Sequence, residues 1–262
     1  MKVFSAQMDM RENDPDYNYK HAQELIRKAS LGGADVVVLP ETWNTGFSPA
    51  ALTEELCDKN GERTKEVIGG LAKELNINVV AGSISNLKPD GKIYNTSLTF
   101  DRKGRCIAEY DKVHAFTPAG EDKYYTKGNS TVIFDIDGHP CSVVICYDMR
   151  FCELVRTVAL KKIDILFIPA QWPIARLFHW KTLALARAIE NQIFVVTCNS
   201  CGTAAGTTCC GASAVIDPWG ETLNSAGANE ELISAELDFS VIEKIRSSIN
   251  VYRDRRPEMY KL

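Results

Sequence analysis

Ser142-Val-Val-Ile-Cys-Tyr-Asp-Met-Arg150 runs three apolar β-formers straight into a cysteine, and a charged turn and a helix-like segment come directly after. A buried strand that stops on Cys146 would hold its sulfur at the carboxyl edge of a sheet, where open α/β sheets gather their ligands. If Phe151 to Lys161 is a helix, its amino end lies near that sulfur, and its dipole favours the thiolate, the nucleophilic form. Cysteine is otherwise among the most buried residue types and most often only packs. The rest of the sequence decides between the two readings.

Two other strand-like runs end on a chemically useful side chain. Ala34-Asp-Val-Val-Val-Leu-Pro40 is a continuous apolar run of the buried-strand type and delivers Glu41. Cys106-Ile-Ala-Glu-Tyr-Asp111 is shorter and mixed, and delivers Lys112. A glutamate, a lysine and a cysteine at three strand ends are the parts of nucleophilic acyl transfer. The carboxylate takes the thiol proton, the thiolate attacks, and the ammonium stabilises the oxyanion. Glu41, coming after a buried run, is expected to be partly buried and to suit a base.

Three blocks carrying these residues resemble the signature blocks of the nitrilase superfamily of carbon–nitrogen hydrolases. They are Leu39-Pro-Glu-Thr-Trp-Asn-Thr-Gly-Phe47, Asp111-Lys-Val-His-Ala-Phe116 and Ile145-Cys-Tyr-Asp-Met-Arg-Phe151, in the family's order. The resemblance runs from Val3 to about Tyr260. It implies an α/β fold, a four-layer α-β-β-α sandwich of two packed mixed sheets, and a Glu41–Lys112–Cys146 catalytic triad. It also implies an oxyanion site made by Lys112 with the backbone N–H of Tyr147. Glu121, in Pro118-Ala-Gly-Glu-Asp-Lys-Tyr124, matches a second glutamate that orients the lysine and the substrate. Within the family, Phe116–Gly128, Gln171–Trp180, Ala186–Gln192 and Asp217–Glu221 look most like the omega-amidases, which hydrolyse the side-chain amide of 2-oxo acids. The chain departs from that group at Cys152, where relatives usually carry proline, and at Cys209-Cys210, where they often carry a bulky residue.

A 2-oxo acid needs a cation for its far carboxylate, preferably an arginine with its two-pronged fit. Arg176, just after Trp172-Pro173 and beyond the expected strand Ile163 to Pro169, is favoured for it, with Trp172 and Phe116 as apolar walls. Arg150 is nearer the nucleophile but reads as part of a structural ion pair within its turn. The expected reaction is thiol-dependent hydrolysis of a small carboxylic-acid amide, releasing ammonia through a Cys thioester. The alternatives are another small-amide or N-carbamoyl hydrolase of the same family, or a catalytically silent scaffold.

The chain has 262 residues, 45% of them hydrophobic, and a formal charge of −4. That suits a single hydrolase domain over 1–262 with a polar tail from about residue 250, its Arg253, Arg255, Arg256, Tyr252 and Tyr260 lying over the domain or a partner subunit. Slight acidity without a basic block argues against nucleic acid as a partner. The start turns polar too early for a signal peptide, and no run of about eighteen apolar residues suggests a membrane span. Nine cysteines, an odd count without framework spacing, read as reduced thiols of a cytoplasmic protein. Cys198, Cys201, Cys209 and Cys210 have pair spacing seen at zinc sites, but adjacent Cys209 and Cys210 would point to opposite faces of a strand. They are expected to be core or near-site thiols around a loop at Gly202 to Thr208. No Ser-centred elbow, phosphate loop or HExxH spacing occurs, so no metal or other cofactor is expected. A Cys–His mechanism would need His114 or His179 near Cys146. His114 reads instead as a packed residue that positions the lysine loop. A homodimer is expected, by analogy with the family.

Overall fold

The computed structural model describes residues 1–204 and 206–260. Ala205, within the expected loop, and the last two residues of the expected tail lie outside the described residues. Two mixed sheets pack face to face, with helices outside each, giving the expected four layers. The first sheet is built around Lys2–Gln7, Val36–Val38, Asn78–Val80 and Ile93–Phe100. Glu231–Glu236 closes one side, and Ile84–Leu87, Asp58–Lys59 and Cys106–Asp111 extend the other. The second sheet centres on His139–Val143, Ile165–Ala170 and Phe194–Asn199, all parallel, with antiparallel Phe134–Ile136, Ala214–Ile216 and Thr222–Ser225.

Both faces of the central strands are covered, which explains their unbroken apolar runs. Val36 and Val38 join the core shared with the second sheet, while Val37 joins the one beneath helix Pro15–Leu31. The period of two in side-chain direction produces that split. The stripe Ala22, Leu25, Ile26 and Ala29 seats this helix on the sheet. Helices Cys152–Ala159 and Leu177–Asn191 cover the second sheet with Val155, Val158, Trp180, Ala184 and Ala188. Between the sheets, Ser5 Oγ donates to the Thr197 carbonyl at 2.9 Å. The Cys198 thiol donates to the carbonyls of Ala6 and Val38, each at 3.3 Å.

One boundary near the site differs from the sequence expectation. The strand before Cys146 ends at Val143, so the cysteine lies beyond the sheet edge in a turn of its own. Strand Asn78–Val80 ends just before Gly82, and a separate strand, Ile84–Leu87, follows. Gly82 has φ +51, and a Cβ there would sit 1.9 Å from the Pro40 carbonyl oxygen. Only glycine permits that approach. The contact holds the backbone that leads into Glu41, with Ser83 N–H donating to the same carbonyl at 3.0 Å. Helix Ser240–Ser248 begins with the Asp238 carboxylate accepting from the Ser240 N–H at 3.0 Å.

At the opposite end of the strands, one arginine ties the sheets together. Arg102, in a turn of the first sheet, donates to both carboxylate oxygens of Asp137, in a hairpin turn of the second. It also donates to Asp35 and to the Asn76 carbonyl, each at 2.7 Å. The Arg102 bonds hold the Asp137 carboxyl below the usual range; burial opposes the same effect at Asp35, where the Lys2 N–H and Arg102 prevail. Carboxylates lowered in this way stabilise the fold above about pH 4 and lose the contribution as pH falls through their folded values. Arg102→Ala should therefore cost about 1–2 kcal/mol at pH 7, or ~2–8 °C in Tm. In thermal melts the gap to wild type should narrow as pH falls below about 4. A gap equally wide at pH 7 and pH 3.5 would contradict this role.

Candidate active site

Glu41 lies three residues beyond Val36–Val38, and its backbone N–H reaches across to the Ala170 carbonyl of the second sheet. Lys112 comes directly after Cys106–Asp111, its N–H held by the Asn95 carbonyl at 2.9 Å. Cys146 has φ +47, a left-handed backbone that is strained for a residue with a Cβ and that turns the chain sharply. The turn Cys146–Arg150 is pinned by buried Asp148. Its carboxylate accepts from the Ile145 and His114 N–H groups, from the Tyr110 hydroxyl at 2.7 Å, and lies 2.8 Å from His114 Nδ1. One carboxylate thus couples the cysteine turn to the lysine loop.

Glu41, Lys112 and Glu121 form a buried ionic trio. Lys112 Nζ lies 2.7 Å from Glu41 Oε1 and 3.0 and 2.9 Å from the two oxygens of Glu121. All three are 3% exposed or less, so bulk water is not available to solvate their charges. Other donors do so: the Asn95 amide gives one N–H to each glutamate, the Gln171 N–H reaches Glu41 Oε2 at 2.8 Å, and the Phe116 N–H reaches Glu121 Oε2. Burial alone would lower the Lys112 ammonium, but the two carboxylates and the nearby Cys146 raise it well above the ordinary lysine value. Lys112 therefore stays charged.

The expected helix-dipole activation of Cys146 does not occur. The helix begins only at Cys152, and burial together with the negative charge of Glu41 pushes the thiol well above its usual range, against the opposing pull of Lys112. At rest the group is a thiol.

Glu41, Lys112 and Cys146 open on a cavity of about 440 Å³, also lined by Tyr147, Phe116, Trp172, Arg150 and Arg176. Glu121 stands behind Lys112 without lining it. The N–H of Tyr147 lies in the first turn after the cysteine, where N–H groups have no acceptor within the turn. Phe47 to Ala51 and the hairpin residues Ala204 and Thr207 complete the rim. Arg176 precedes helix Leu177–Asn191, with its guanidinium 5.1 Å from the Phe116 ring centroid and its carbonyl accepting from the Trp172 indole. Arg150 was expected to close an ion pair in its turn. Instead it lies over Trp172, 4.7 Å from the ring centroid, beside His179 Nδ1, and lines the cavity. Among the described lining residues three cations face one carboxylate, a field that favours an anionic ligand.

No histidine among the described residues lines the cavity. His114 stacks on Phe151 at 3.6 Å between centroids, His179 meets Arg150, and His21 and His139 pair with Glu230 and Asp164. The four clustered cysteines are free thiols, and Cys201 is buried near the others. Cys198 lies between the sheets, Cys210 touches the Asn199 amide, and Cys209 reaches the cavity wall. Asn95, Asp148 and Gln171 were not singled out from the sequence. Each acts through tertiary hydrogen bonds that no local pattern announces.

Removing the central cation should leave two buried carboxylates facing each other unpaired. Lys112→Met is expected to cost about 3–5 kcal/mol at pH 8. The two glutamates would then hold a proton more tightly in the folded state than in the unfolded one, so the penalty should shrink toward pH 5. Denaturant melts at both pH values read this directly, and a pH-independent penalty would contradict the charge assignment.

A carbon–nitrogen hydrolase family model matches residues 2–247. The chain is 40% identical over 258 residues to the 2-oxoglutaramate amidase of Bacillus subtilis (strain 168), covering 98% of each chain. Its fold superposes on that of Saccharomyces cerevisiae Nit3, a member of branch 10 of the nitrilase superfamily, with a TM-score of 0.91. That match has 32% identity and spans 98% of this chain and 96% of the other. A mutant of the amidase from Nesterenkonia sp. AN1 is similar at TM-score 0.87 and 25% identity, over 99% of this chain and 95% of that one. Its structure shows covalent addition of the acetamide moiety of fluoroacetamide at the active site cysteine. The chain belongs to the carbon–nitrogen hydrolases of the nitrilase superfamily, enzymes acting on carbon–nitrogen bonds other than peptide bonds.

Proposed function

We propose that this chain is a thiol amidase acting on the omega-amide of a small 2-oxo acid, with Cys146 as nucleophile, Glu41 as base and Lys112 as oxyanion donor. The observation that carries the reading is the convergence of these three groups on one cavity whose outer wall presents two guanidiniums. The similarity to a 2-oxoglutaramate amidase supports the substrate class.

In this reading the proton of the Cys146 thiol passes to Glu41 as the sulfur attacks the amide carbon. Oε2 is the better acceptor. Oε1 already receives bonds from Lys112 and Asn95, whereas Oε2 has the Gln171 N–H. The amide oxygen takes up the electron pair and is met by Lys112 Nζ and the Tyr147 N–H. Glu41 returns its proton to the amide nitrogen, ammonia leaves, and a thioester remains. Water then gives a proton to Glu41 and attacks the thioester carbon; collapse releases the acid, and the sulfur recovers its proton. A base of this sort contributes ~10²–10⁴-fold and an oxyanion donor ~10²–10³-fold. Arg176 receives the far carboxylate, with Trp172 and Phe116 against the carbon chain. Arg150, free of a carboxylate partner among the described residues, adds to the anion-favouring field.

An ammonia-release screen of 2-oxoglutaramate, 2-oxosuccinamate, N-carbamoyl amino acids and a simple nitrile tests the reading. The oxo-acid amides should win by a wide margin, and Cys146→Ala should abolish release while remaining folded. Arg176→Ala should lose mainly binding of the oxo acids, by ~1.5–3 kcal/mol for a charged hydrogen bond. If carbamoyl compounds or the nitrile win, the substrate assignment falls. Undiminished oxo-acid turnover in Arg176→Ala would place the carboxylate elsewhere, and ammonia release by Cys146→Ala would remove the nucleophile.

A further inference from the structure

Asn95 lies near the start of strand Ile93–Phe100, is 1% exposed and does not line the cavity. It nevertheless touches every member of the ionic trio. Its amide nitrogen donates to Glu41 Oε1 at 2.9 Å and to Glu121 Oε1 at 3.1 Å, and its backbone carbonyl accepts from the Lys112 N–H at 2.9 Å. Facing two carboxylates, only the NH₂ end of the amide can point this way. That leaves Oδ1 buried with no hydrogen-bond partner among the described residues. A buried orphan acceptor is uncommon, and one retained here marks an orientation imposed by the site.

We propose that Asn95 is a positioning residue that holds Glu41 and Glu121 in place while Lys112 redirects a proton to the reacting oxygen. The inference rests on the catalytic roles given above for Glu41 and Lys112. At rest the three ammonium protons are shared among Glu41 Oε1 and both oxygens of Glu121. Serving an oxyanion requires one of those bonds to be given up. Both Oε1 atoms that Lys112 contacts are also the atoms Asn95 contacts, so each keeps a donor when the ammonium turns away. A neutral amide does this without adding charge to a site already holding two anions and a cation. The carboxylate of the base is thereby held in one place while Lys112 turns.

The test uses Asn95→Leu, close in size and without donors, and Asn95→Ser, smaller and too short to bridge both carboxylates. For each, kcat and KM on the best amide of the screen are measured from pH 5 to 9, together with the melting temperature. Loss of the donors should lower kcat about 10–100-fold with KM little changed. The acid limb of the kcat profile should move to higher pH, because removing a hydrogen bond to a buried carboxylate favours its neutral form. A merely structural asparagine would lower the melting temperature and leave the limb in place. Folded variants with the wild-type limb and kcat within threefold would overturn the proposal. So would failure of Asn95→Ser as well as Asn95→Leu to fold, since that would make the residue a structural one. If wild type itself releases no ammonia from any amide, it is the amidase reading that fails; active wild type beside unchanged variants sinks the Asn95 inference alone.

Discussion

A lysine ammonium enclosed between two glutamates, away from water, is the constraint to which the rest of the site answers. Each buried ion loses several kcal/mol of hydration, and the pairing repays this only when geometry is close and the remaining oxygens are satisfied. The distances from Lys112 Nζ, all 3.0 Å or less, meet the first condition. Asn95, the Gln171 N–H and the Phe116 N–H meet the second. The trio leaves one excess negative charge beside Cys146, and that charge decides the chemistry. It keeps the sulfur protonated at rest, and in the proposed reaction the Glu41 carboxylate takes the proton.

Holding charges to such tolerances requires backbone that cannot drift. Three segments from two sheets supply it. Gly82 lets the Pro40 carbonyl approach closely enough to fix the entry to Glu41. Pairing of Ile93–Phe100 with Cys106–Asp111 brings Asn95 against the start of the lysine loop. Asp148, with four bonded groups, fixes the turn that carries Cys146 and joins it to His114, two residues beyond Lys112. The strained φ of Cys146 persists because this network over-determines it.

Much of the outline could be read from the sequence because both faces of the central strands are buried. Continuous apolar runs such as Val36–Val38 and Ile165–Ala170 announce such strands, and the residues just past their carboxyl ends gather at one edge of the sheets. That logic placed Glu41 and Lys112 side by side at that edge, and the block resemblance pointed to Glu121 beside them and to the sandwich. It failed where a contact spans a long stretch of chain. Asn95 reads as one polar residue in a mixed strand, and its partner Glu41 is 54 positions away. Nothing in the local sequence announces that Gly82 meets the Pro40 carbonyl. The inference that Cys146 would be activated by a helix end also failed. A 3-10 turn separates the sulfur from the helix, and the adjacent carboxylate acts in the opposite direction to the dipole. Arg150, assigned to an ion pair from its place in a charged turn, turned out to face the cavity because Trp172 offers its ring as a seat.

The central claim is that the charge of Glu41 keeps Cys146 a thiol at rest and that its carboxylate then carries the proton through turnover. The most direct measurement is the pH dependence of Cys146 alkylation by a small haloacetamide in wild type and Glu41→Gln, mapped by mass, with the exposed Cys106 and Cys152 as internal references. Removing the carboxylate charge while Lys112 remains should lower the thiol's titration, so Cys146 alkylates more readily at neutral pH. Amide turnover by the same variant should nevertheless fall ~10²–10⁴-fold, for want of a group to move the proton. An alkylation profile unchanged by Glu41→Gln, or turnover that survives it, would contradict the account.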